Sequence, residues 1–401
     1  MDDFRGTGGR SSAKHASAPE RVQGPADSRI RTVAMRVWRS LRRDYLLQIL
    51  LIAAAVLMLV QPVELGHLPT LVDWPTIAAL AGLLVLTKGV ELSGFFHRVG
   101  FHLITLEHTE RKLAFFLVAS SALLATVLTN DIALFIVVPL TLSLHGMAAL
   151  PTTRLVIFEA LAVNAGSALT PVGNPQNLFL WQRSGLSFHA FVGQMLPLAA
   201  ILLAVLAIMT ALAFPARRVD ATEEAEPRAL DRPLLIVSVV LYPLFIVAAD
   251  LRQAVAGLIA LLVVFAIVRR SVLTRVDWAL IAAFVLMFVD LRLLAQHGVV
   301  RDFVAHAGMA EPRSLYLAGV GLSQIISNVP AAILLAEHSA DTRLIAYAVD
   351  VGGFGLAIGS LANLIALRML RSRRAWLVFH GYSVPFLLVA GALVYLWLFV
   401  R

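Results

Sequence analysis

Residues 164–178, NAGSALTPVGNPQNL, interrupt a long apolar stretch with two prolines, two glycines and several polar side chains. A proline removes a backbone N–H from a helix and a glycine adds conformational freedom, so we expect a helix to stop and restart within 171–175. In hydrocarbon a broken helix is tolerated only where its backbone is buried in protein or lines a wet cavity. Many membrane transporters bind ions and substrate at such breaks. The stretch therefore predicts a binding site in mid-membrane.

A second interruption follows 186 residues later, where residues 350–364 have the sequence DVGGFGLAIGSLANL. Laid over the first stretch without gaps, it repeats two glycines, an asparagine and a leucine. The aligned pairs are Gly166 with Gly352, Gly173 with Gly359, Asn174 with Ser360, Asn177 with Asn363 and Leu178 with Leu364. Interruptions at corresponding places in the two halves of a chain are the best sequence indication of a transporter binding site.

Composition places the chain in the membrane. Of its 401 residues 59% are hydrophobic and 14% are charged, and the mean hydropathy is +0.82. Apolar runs at 45–63, 190–214 and 376–400 are long enough to span a bilayer, which takes about 20 residues. The absence of cysteine excludes disulfides and thiolate metal sites. The net charge of +8 indicates arginine in cytoplasmic loops rather than binding to nucleic acid.

Further features recur in the same order in both halves. The triplet at 72–74, Val-Asp-Trp, returns at 276–278, and Thr129-Asn130 has its counterpart in Ser327-Asn328. Each of these polar pairs interrupts an apolar run, and we interpret each as the tip of a re-entrant hairpin. The predicted fold is therefore all-α: a polytopic membrane protein with two repeats, each containing a re-entrant hairpin and a discontinuous transmembrane helix.

This pattern divides the chain into four parts. Residues 1–44 are poor in apolar side chains and rich in arginine, and we expect a disordered, basic cytoplasmic tail. Residues 45–214 form the first transmembrane repeat. Residues 215–250 form a charged linker loop and a connecting helix, and residues 251–401 form the second repeat.

Arginine and lysine predict the orientation. With the tail inside, the predicted inner segments contain 15 Lys and Arg, whereas the predicted outer segments contain five. The inner segments are 94–112, 149–154, 215–232, 269–276 and 368–374, and the outer segments are 64–73, 181–189, 250–252, 296–313 and 339–343. The number of crossings before the second half is odd, which inverts the second repeat relative to the first, as in alternating-access carriers. We expect a multi-pass protein of the inner (plasma) membrane with a cytoplasmic N-terminus and a C-terminus outside.

On these residues the chain resembles the ion transporter superfamily, which includes divalent-anion/sodium symporters, citrate carriers and arsenite permeases. The segments that are similar are LTNDIALFIVVPL, ISNVPAAILL and the two breaks. In the symporters each hairpin tip has a Ser-Asn-Thr triplet facing the broken helix, and sodium and a substrate carboxylate bind between them. This chain departs at the third tip position, which is Asp131 in one repeat and Val329 in the other. An acidic tip is more similar to the citrate and arsenite branches, and loss of the second Thr weakens the case for a two-carboxylate substrate.

The predicted site combines both tips and both breaks. The expected substrate- and ion-binding residues are Thr129, Asn130, Asp131, Ser167, Thr170, Gly173, Asn174, Asn177, Ser327, Asn328, Gly353, Gly355, Gly359, Ser360 and Asn363. For Na+, a hard cation that prefers oxygen ligands, we expect Asn130, Asp131 and Asn328. In the alternative, the tip residues only satisfy backbone groups of the hairpins. Asn177 and Asn363 are equally well explained as caps of the second half-helices.

Three of the acidic side chains within apolar segments are given a functional or a structural interpretation. Asp131 is the first functional candidate, as a cation ligand or a proton site, because a carboxylate in mid-membrane costs roughly 2.5–3.5 kcal/mol on insertion scales. Its structural alternative is a bond to a neighbouring hydroxyl or amide. Asp350 ranks below Asp131, and a carboxylate pair of the two is the arrangement that an intramembrane enzyme would need. Glu159 is expected to pair with Arg154 near the surface.

The predicted function is secondary active transport of a small anion, a di- or tricarboxylate or an oxyanion, coupled to Na+ or H+. The alternative is arsenite or antimonite efflux, or Na+/H+ exchange. A channel or an intramembrane enzyme is less favoured: the chain has neither H-E-x-x-H nor G-x-S-x-G, and no phosphate-binding loop. No cofactor is expected besides the coupling ion. The expected partners are the anion and the lipid bilayer, with no nucleic acid and with a homodimer left open.

Overall fold

The structure is a computed structural model, and it describes residues 45–60, 65–95, 109–145, 150–218, 230–298, 311–370 and 372–400. These residues form helices joined by loops, with one isolated bridge pair and no β-strand. The predicted all-α membrane fold is thus confirmed. The predicted tail, 1–44, lies outside the described residues, as do most of the predicted inner segment 94–112 and most of the loop that joins the halves.

The described part of the first half consists of seven α-helices. They are α1 (Tyr45–Val60), α2 (Trp74–Leu92), α3 (Glu110–Val127), α4 (Asn130–His145), α5 (Thr152–Ser167), α6 (Pro175–Ser184) and α7 (Phe188–Ala213). A 3₁₀ helix (Leu65–Leu71) precedes α2, and α8 (Arg232–Asp250) connects the halves.

The second half follows the same order in its described residues. Its helices are α9 (Ala254–Val268), α10 (Arg270–Arg275), α11 (Trp278–Gln296), α12 (Pro312–Ile326), α13 (Asn328–Ala336), α14 (Thr342–Gly352), α15 (Leu361–Leu370) and α16 (Arg373–Phe399). Each half thus has an apolar helix, a helix begun by Asp-Trp, a helical hairpin, a broken helix and a long final helix.

Among the described residues, α2, α7, α8, α11 and α16 are long and apolar enough to cross a membrane. Side chains such as Leu59, Leu212 and Ile267 are largely exposed on α1, α7 and α9, as expected of surfaces that face lipid. The helix α13 has only 9 residues and is therefore about 14 Å long, roughly half the hydrocarbon thickness. This length supports a re-entrant second hairpin. The helices of the first hairpin are longer, and its re-entrant character stays a prediction.

The recurring Asp-Trp pair starts a helix in both halves. The Asp73 carboxylate caps α2 by accepting from the Thr76 N–H at 3.1 Å, and Asp277 does the same for α11. Each tryptophan donates its indole N–H to the carbonyl five residues earlier, Trp74 at 2.9 Å and Trp278 at 2.8 Å. A side-chain oxygen at the N-cap satisfies an otherwise unpaired backbone donor, which explains why the motif recurs.

The connecting helix α8 also begins at an aspartate. Asp231 accepts from the Leu234 N–H at 3.2 Å and pairs with Arg269 at the end of α9. The Leu234 N–H and the Arg269 guanidinium hold the pKa of the Asp231 carboxyl below its usual range. The pair joins the connecting helix to the second half outside the apolar region.

Both predicted helix breaks are present. The helix α5 ends at Ser167 and α6 begins at Pro175, while α14 ends at Gly352 and α15 begins at Leu361. The half-helices before the breaks are packed inside protein, with α5 between α3 and α4 and with α14 against α12 and α13. The first break is almost entirely buried, whereas Leu356 and Ile358 of the second break are exposed. Contact is closest at Gly166, where an added Cβ would lie 2.1 Å from the Ala122 carbonyl oxygen of α3. The small residue therefore lets two backbones meet directly beside the first break.

Candidate functional site

The end of α5 contacts the second break directly. Asn164 is buried, and its Nδ2 donates to Asn363 Oδ1 at 2.8 Å. Its Oδ1 accepts from the Ser360 hydroxyl at 3.0 Å. These bonds join residues that are almost 200 positions apart in the chain, and they bring the two breaks together.

Asp350, near the end of α14, makes the reciprocal contact with the first break. Its Oδ1 accepts from Asn174 Nδ2 at 3.2 Å and from Gln176 Nε2 at 3.0 Å, and its Oδ2 accepts from Asn177 Nδ2 at 2.9 Å. The gapless alignment of the breaks pairs Asp350 with Asn164. The same pair of positions therefore holds both breaks together, with a carboxyl group in one half and an amide in the other.

The alternative in which Asn177 and Asn363 cap the second half-helices is wrong. Asn174 caps α6, because its Oδ1 accepts from the Asn177 N–H at 2.8 Å. The Asn177 side chain instead reaches Asp350 and the Ala168 carbonyl, and Asn363 donates to the Gly353 carbonyl at 2.8 Å. Both lie within the first turn of their helices, where the side chain bonds to a residue of the other half and to a carbonyl of its own break.

The first hairpin tip is bonded to the first break. The backbone N–H of Asn130 donates to the Gly173 carbonyl at 2.8 Å, while Asn130 Oδ1 accepts from the Asp131 N–H at 2.9 Å. The Thr170 hydroxyl donates to the Thr126 carbonyl at 2.7 Å and accepts from the Gly173 N–H at 3.2 Å. Asn130, Thr170 and Gly173 are thus brought together as predicted.

Ser167 belongs to the same assembly. Its hydroxyl donates to the Asn164 carbonyl at 3.1 Å and accepts from Asn174 Nδ2 at 3.2 Å. Ser167 therefore links the end of α5 to the start of α6 across the unwound segment.

The second hairpin tip lies against the second break. Asn328 is buried, and a Cβ added to Gly353 would lie 3.1 Å from its Nδ2. Ser327 has a positive φ of 74°, a conformation that non-glycine residues adopt at a cost of about 1–3 kcal/mol and that is common at functional sites. In the break itself, Gly355 has φ +92° and donates its N–H to the Ser383 hydroxyl at 2.9 Å. At Gly359 an added Cβ would lie 2.7 Å from the Gly352 carbonyl oxygen.

Gln324 holds the second break to its hairpin, a role that the sequence analysis missed. Its Nε2 donates to the Gly352 carbonyl at 2.6 Å and to the Phe354 carbonyl at 3.0 Å, and its Oε1 accepts from the Leu356 N–H at 2.8 Å. Three backbone groups freed by the break are therefore satisfied by one amide side chain.

Several buried oxygen atoms at the centre have no hydrogen-bond partner among the described residues. They are Thr129 Oγ1, Asp131 Oδ1, Gln176 Oε1 and Asn177 Oδ1. Buried polar atoms are normally paired, so each calls for an explanation. Hydroxyl, carboxylate and amide oxygens are the ligands that a hard cation such as Na+ accepts, and Thr129 and Asp131 flank the first tip. These two oxygens are of the kind that a small cation accepts, while the described residues contain no group of three or more Asp, Glu, His or Cys side chains that could hold a metal ion.

The carboxylate pair suggested for Asp131 and Asp350 is not found among the described contacts. The donors to Asp350 are three amides, and Asp131 Oδ1 has no partner. Asp131 lies in the first turn of α4, whereas Asp350 lies at the end of α14.

Glu159 does not pair with Arg154. Glu159 is fully buried in α5 and accepts from the Thr141 hydroxyl of α4. Arg154 donates to the Ala213 carbonyl at 2.6 Å and lies over the Phe214 ring at 5.6 Å. Residues five apart are about 140° apart around a helix, so the two side chains leave α5 in different directions.

Cationic side chains form contacts away from the breaks. Lys88 pairs with Glu91 at 2.5 Å near the end of α2. Arg183 and Arg292 both lie 3.4 Å from Glu337, which follows α13. Among the described hydrogen bonds and ion pairs, no lysine or arginine contacts Asn164, Asp350 or the residues that bind them.

One signal in the composition could have identified more of this centre. The chain has six asparagines, and all lie at the tips and breaks. They are Asn130, Asn164, Asn174, Asn177, Asn328 and Asn363. An amide that both donates and accepts is well suited to satisfying unwound backbone inside a membrane. Asn164, Gln176, Gln324 and Asp350 are the members that the predicted site omits.

Comparisons with known proteins agree with this architecture. The sequence profile of the citrate transporter family (CitMHS) matches residues 36–342. The chain is 44% identical over 367 residues to the inner membrane protein YbiR of Escherichia coli, which covers 90% of this chain and 97% of the relative. It is 30% identical over 317 residues to an uncharacterized transporter of Methanocaldococcus jannaschii, covering 78% of this chain and 85% of the relative.

A shorter similarity reaches a plant protein. The silicon efflux transporter LSI3 of Oryza sativa subsp. japonica is 29% identical over 126 residues, which is 31% of this chain and 26% of the relative.

Proposed function

The chain belongs to the citrate transporter family, and we propose that this membrane transporter moves a small anion, a di- or tricarboxylate or an oxyanion, by alternating access. Transport is driven by a gradient of Na+ or H+, and no further cofactor takes part. The N-terminus is cytoplasmic and the C-terminus is outside. The transporter acts as a monomer or a homodimer.

The reciprocal contact of the two breaks is the observation that carries this proposal. Asn164 binds the start of α15, and Asp350 binds the start of α6, so one hydrogen-bonded centre contains residues of both halves. Transporters built from two repeats place substrate and ion at such a centre, where rocking of one unit against another exposes it to either side.

Different observations support binding of the anion and binding of the coupling ion. The N-termini of α6 and α15 both face this centre, and the positive end of a helix dipole favours an anion. The unpartnered oxygens of Thr129 and Asp131 at the first tip support a cation beside it. An anion and a cation bound side by side offset each other's charge, which makes coupled transport physically reasonable.

A second candidate is efflux of a weak oxyacid such as arsenite or antimonite, or Na+/H+ exchange. The buried Asp350 carboxyl and the absence of a described Lys or Arg contact at the breaks favour a substrate of low charge. The rice relative, whose name refers to silicon efflux, supports this second candidate, in which the chain exports its substrate.

Flux assays on the purified chain in liposomes separate these functions. Citrate, succinate, sulfate and arsenite are supplied one at a time under an imposed Na+ or H+ gradient. We expect movement of at least one carboxylate or oxyanion that requires one gradient. Movement of arsenite alone would favour the second candidate, and movement of none of the four would contradict the proposed anion transport.

The hairpin tips are tested in the same assay. We expect Asn130→Ala and Asn328→Ala each to lower flux at least tenfold while expression persists, because both side chains are buried beside a break. Gln253→Ala is the matched control, since this amide is exposed at the start of α9 and makes no side-chain cap bond. Normal flux in both tip variants would show that the tips are only structural.

A further inference from the structure

The Asp350 carboxyl has an unusual set of neighbours. Its three hydrogen-bond donors are the side-chain amides of Asn174, Gln176 and Asn177. The amide oxygens of Gln176 and Asn177 are buried and have no partner among the described residues. The two oxygens of the Asp350 carboxyl therefore accept all three bonds, while two amide oxygens on the same neighbouring side chains have no donor.

The negative charge of Asp350 is disfavoured by its own helix and stabilised by groups of another. Asp350 lies two residues before the C-terminal end of α14, where the helix dipole disfavours negative charge. The compensating groups all come from the first turn of α6, in the other half of the chain. A change of charge at Asp350 therefore alters a contact between the halves rather than one inside a helix.

Elements packed against α14 provide no charged partner. These elements are α6, α7, α12, α13 and α16. Their described titratable side chains are Arg183, His189, Arg313, Tyr316, Arg373, Arg374, His380, Tyr382 and Tyr395, and α14 itself has Arg343 and Tyr347. Arg183 lies against Glu337, Tyr316 donates to the Gly391 carbonyl, Arg343 lies over Tyr347 and Trp397, and Tyr347 donates to the Gln194 carbonyl. The groups that interact with the Asp350 carboxyl are the three neutral amides.

We propose that Asp350 binds the coupling proton and that the Asn177 side chain converts proton binding into a change at the first break. This inference rests on the proposed function as a coupled carrier. Of the two coupling ions considered above, it selects H+.

The proton transfer needs only water. A hydronium ion gives its proton to Oδ2 of Asp350, the carboxylate becomes a neutral acid, and a water molecule is released. The new O–H then points at the Asn177 N–H, and two donors cannot bond to each other. A half turn of the Asn177 amide brings its unpartnered Oδ1 to accept the proton. The same turn withdraws Nδ2 from the Ala168 carbonyl, 3.3 Å away at the end of α5.

The aligned position of the second break has no titratable group. Asn164 occupies the position of Asp350 there, and its bonds to Ser360 and Asn363 join neutral groups. Asn363 donates to the Gly353 carbonyl at 2.8 Å, the counterpart of the bond from Asn177 to Ala168. At the aligned positions the two breaks thus differ in one titratable group, so protonation of Asp350 changes a contact of the first break. The titratable contact of the second break is a different one, in which His380 Nε2 accepts the Ala357 N–H at 3.2 Å.

Infrared difference spectra of the purified full-length chain test this inference without any substrate. Spectra are taken while the pH is lowered at constant Na+. We expect the wild type to gain a protonated-carboxyl band that Asp350→Asn lacks, with folding of the variant checked by circular dichroism. Identical pH-dependent bands in the two proteins would overturn the proposal. So would a band that responds to Na+ at constant pH and not to protons.

Two matched variants keep the test independent of the Asp350 substitution. Asn177→Ala is expected to shift the midpoint of this band, whereas Asn363→Ala leaves it unchanged, because Asn363 does not contact Asp350. Equal midpoints in both variants would disprove the role of Asn177. In liposomes, Asp350→Asn should lose proton-driven accumulation. Absence of all flux in the wild type would count against the proposed transport, while the infrared result still decides the proton site.

Discussion

At the scale of single residues, the centre tolerates little extra volume. A Cβ on Gly173 would lie 2.4 Å from the Ser167 carbonyl oxygen and 2.7 Å from that of Ala125. Gly173 also accepts the Asn130 N–H, so the first tip and the first break meet where no side chain fits. Backbone oxygens cannot move aside as the end of a flexible side chain can.

We therefore expect Gly173→Ala to lower the unfolding temperature of the detergent-purified chain. Overpacking of this kind typically costs about 1–3 kcal/mol. Gly193→Ala is the control, because nothing lies within 4 Å of its added Cβ and the residue is inside α7. In that helix the change should be neutral or stabilising by about 0.5–1 kcal/mol. Equal unfolding temperatures for the two variants would contradict the close contact.

At the scale of elements, each hairpin is attached to its break in a different way. In the first half the Thr170 hydroxyl of the break donates to the Thr126 carbonyl of α3, and the Asn130 N–H of the tip donates to the Gly173 carbonyl. In the second half a single side chain, Gln324 of α12, donates to two carbonyls of the break and accepts one of its N–H groups. The repeat thus preserves the contact between elements while the residues that form it have changed.

Gln324→Leu keeps the size of this side chain and removes all three bonds. The partly buried Gly352 and Phe354 carbonyls lose their donor, and a buried group left unpaired costs about 1–3 kcal/mol, so we expect a lower unfolding temperature. The exposed Leu356 N–H loses its acceptor, so amide exchange should be faster around Gly352 and Leu356. Thr170→Val, which removes one hydroxyl, should increase exchange around Gly173 instead. Mass spectrometry of deuterated peptides distinguishes the two patterns. An unchanged second break in Gln324→Leu would show that the side chain does not hold it.

At the scale of the whole molecule, the order of elements is repeated across the described residues of both halves, and its inversion remains a prediction. The chain has no cysteine, so single cysteines report on orientation without background. Ala216 and Ser271 lie in segments predicted to be inner, and Ala340 lies in one predicted to be outer. All three are exposed.

In intact cells, a membrane-impermeant maleimide should label Ala340→Cys and leave Ala216→Cys and Ser271→Cys unlabelled. Inverted membrane vesicles should give the opposite pattern. The physical reason is that arginine-rich loops stay on the cytoplasmic side. Labelling of all three from one side would contradict the predicted topology, and the protein without cysteine is the control for labelling at other groups.

Much of this molecule could be predicted because the signals are local in the chain. The breaks follow from prolines and glycines inside apolar runs, and the helix starts at Asp73 and Asp277 follow from a short capping motif. The positions of the two tips follow from polar pairs that no lipid-facing helix would accommodate. The predicted pair of Glu159 with Arg154 is wrong because the partner of Glu159 is Thr141 on the neighbouring helix α4. The packing of α4 against α5 is not a local property of the chain.

The sequence by itself determined the membrane class, the order of helices and the two interrupted segments, since each depends on residues within a few turns of one another. Only the tertiary structure decided that Asn164 binds the second break and Asp350 the first, or that Gln324 holds the unwound chain beside it. The partners of Asn164 and Asp350 are more than 170 positions away, and several polar side chains in each break could have met them. The choice among them depends on how the helices pack, because a hydrogen bond forms only where packing brings donor and acceptor to about 3 Å.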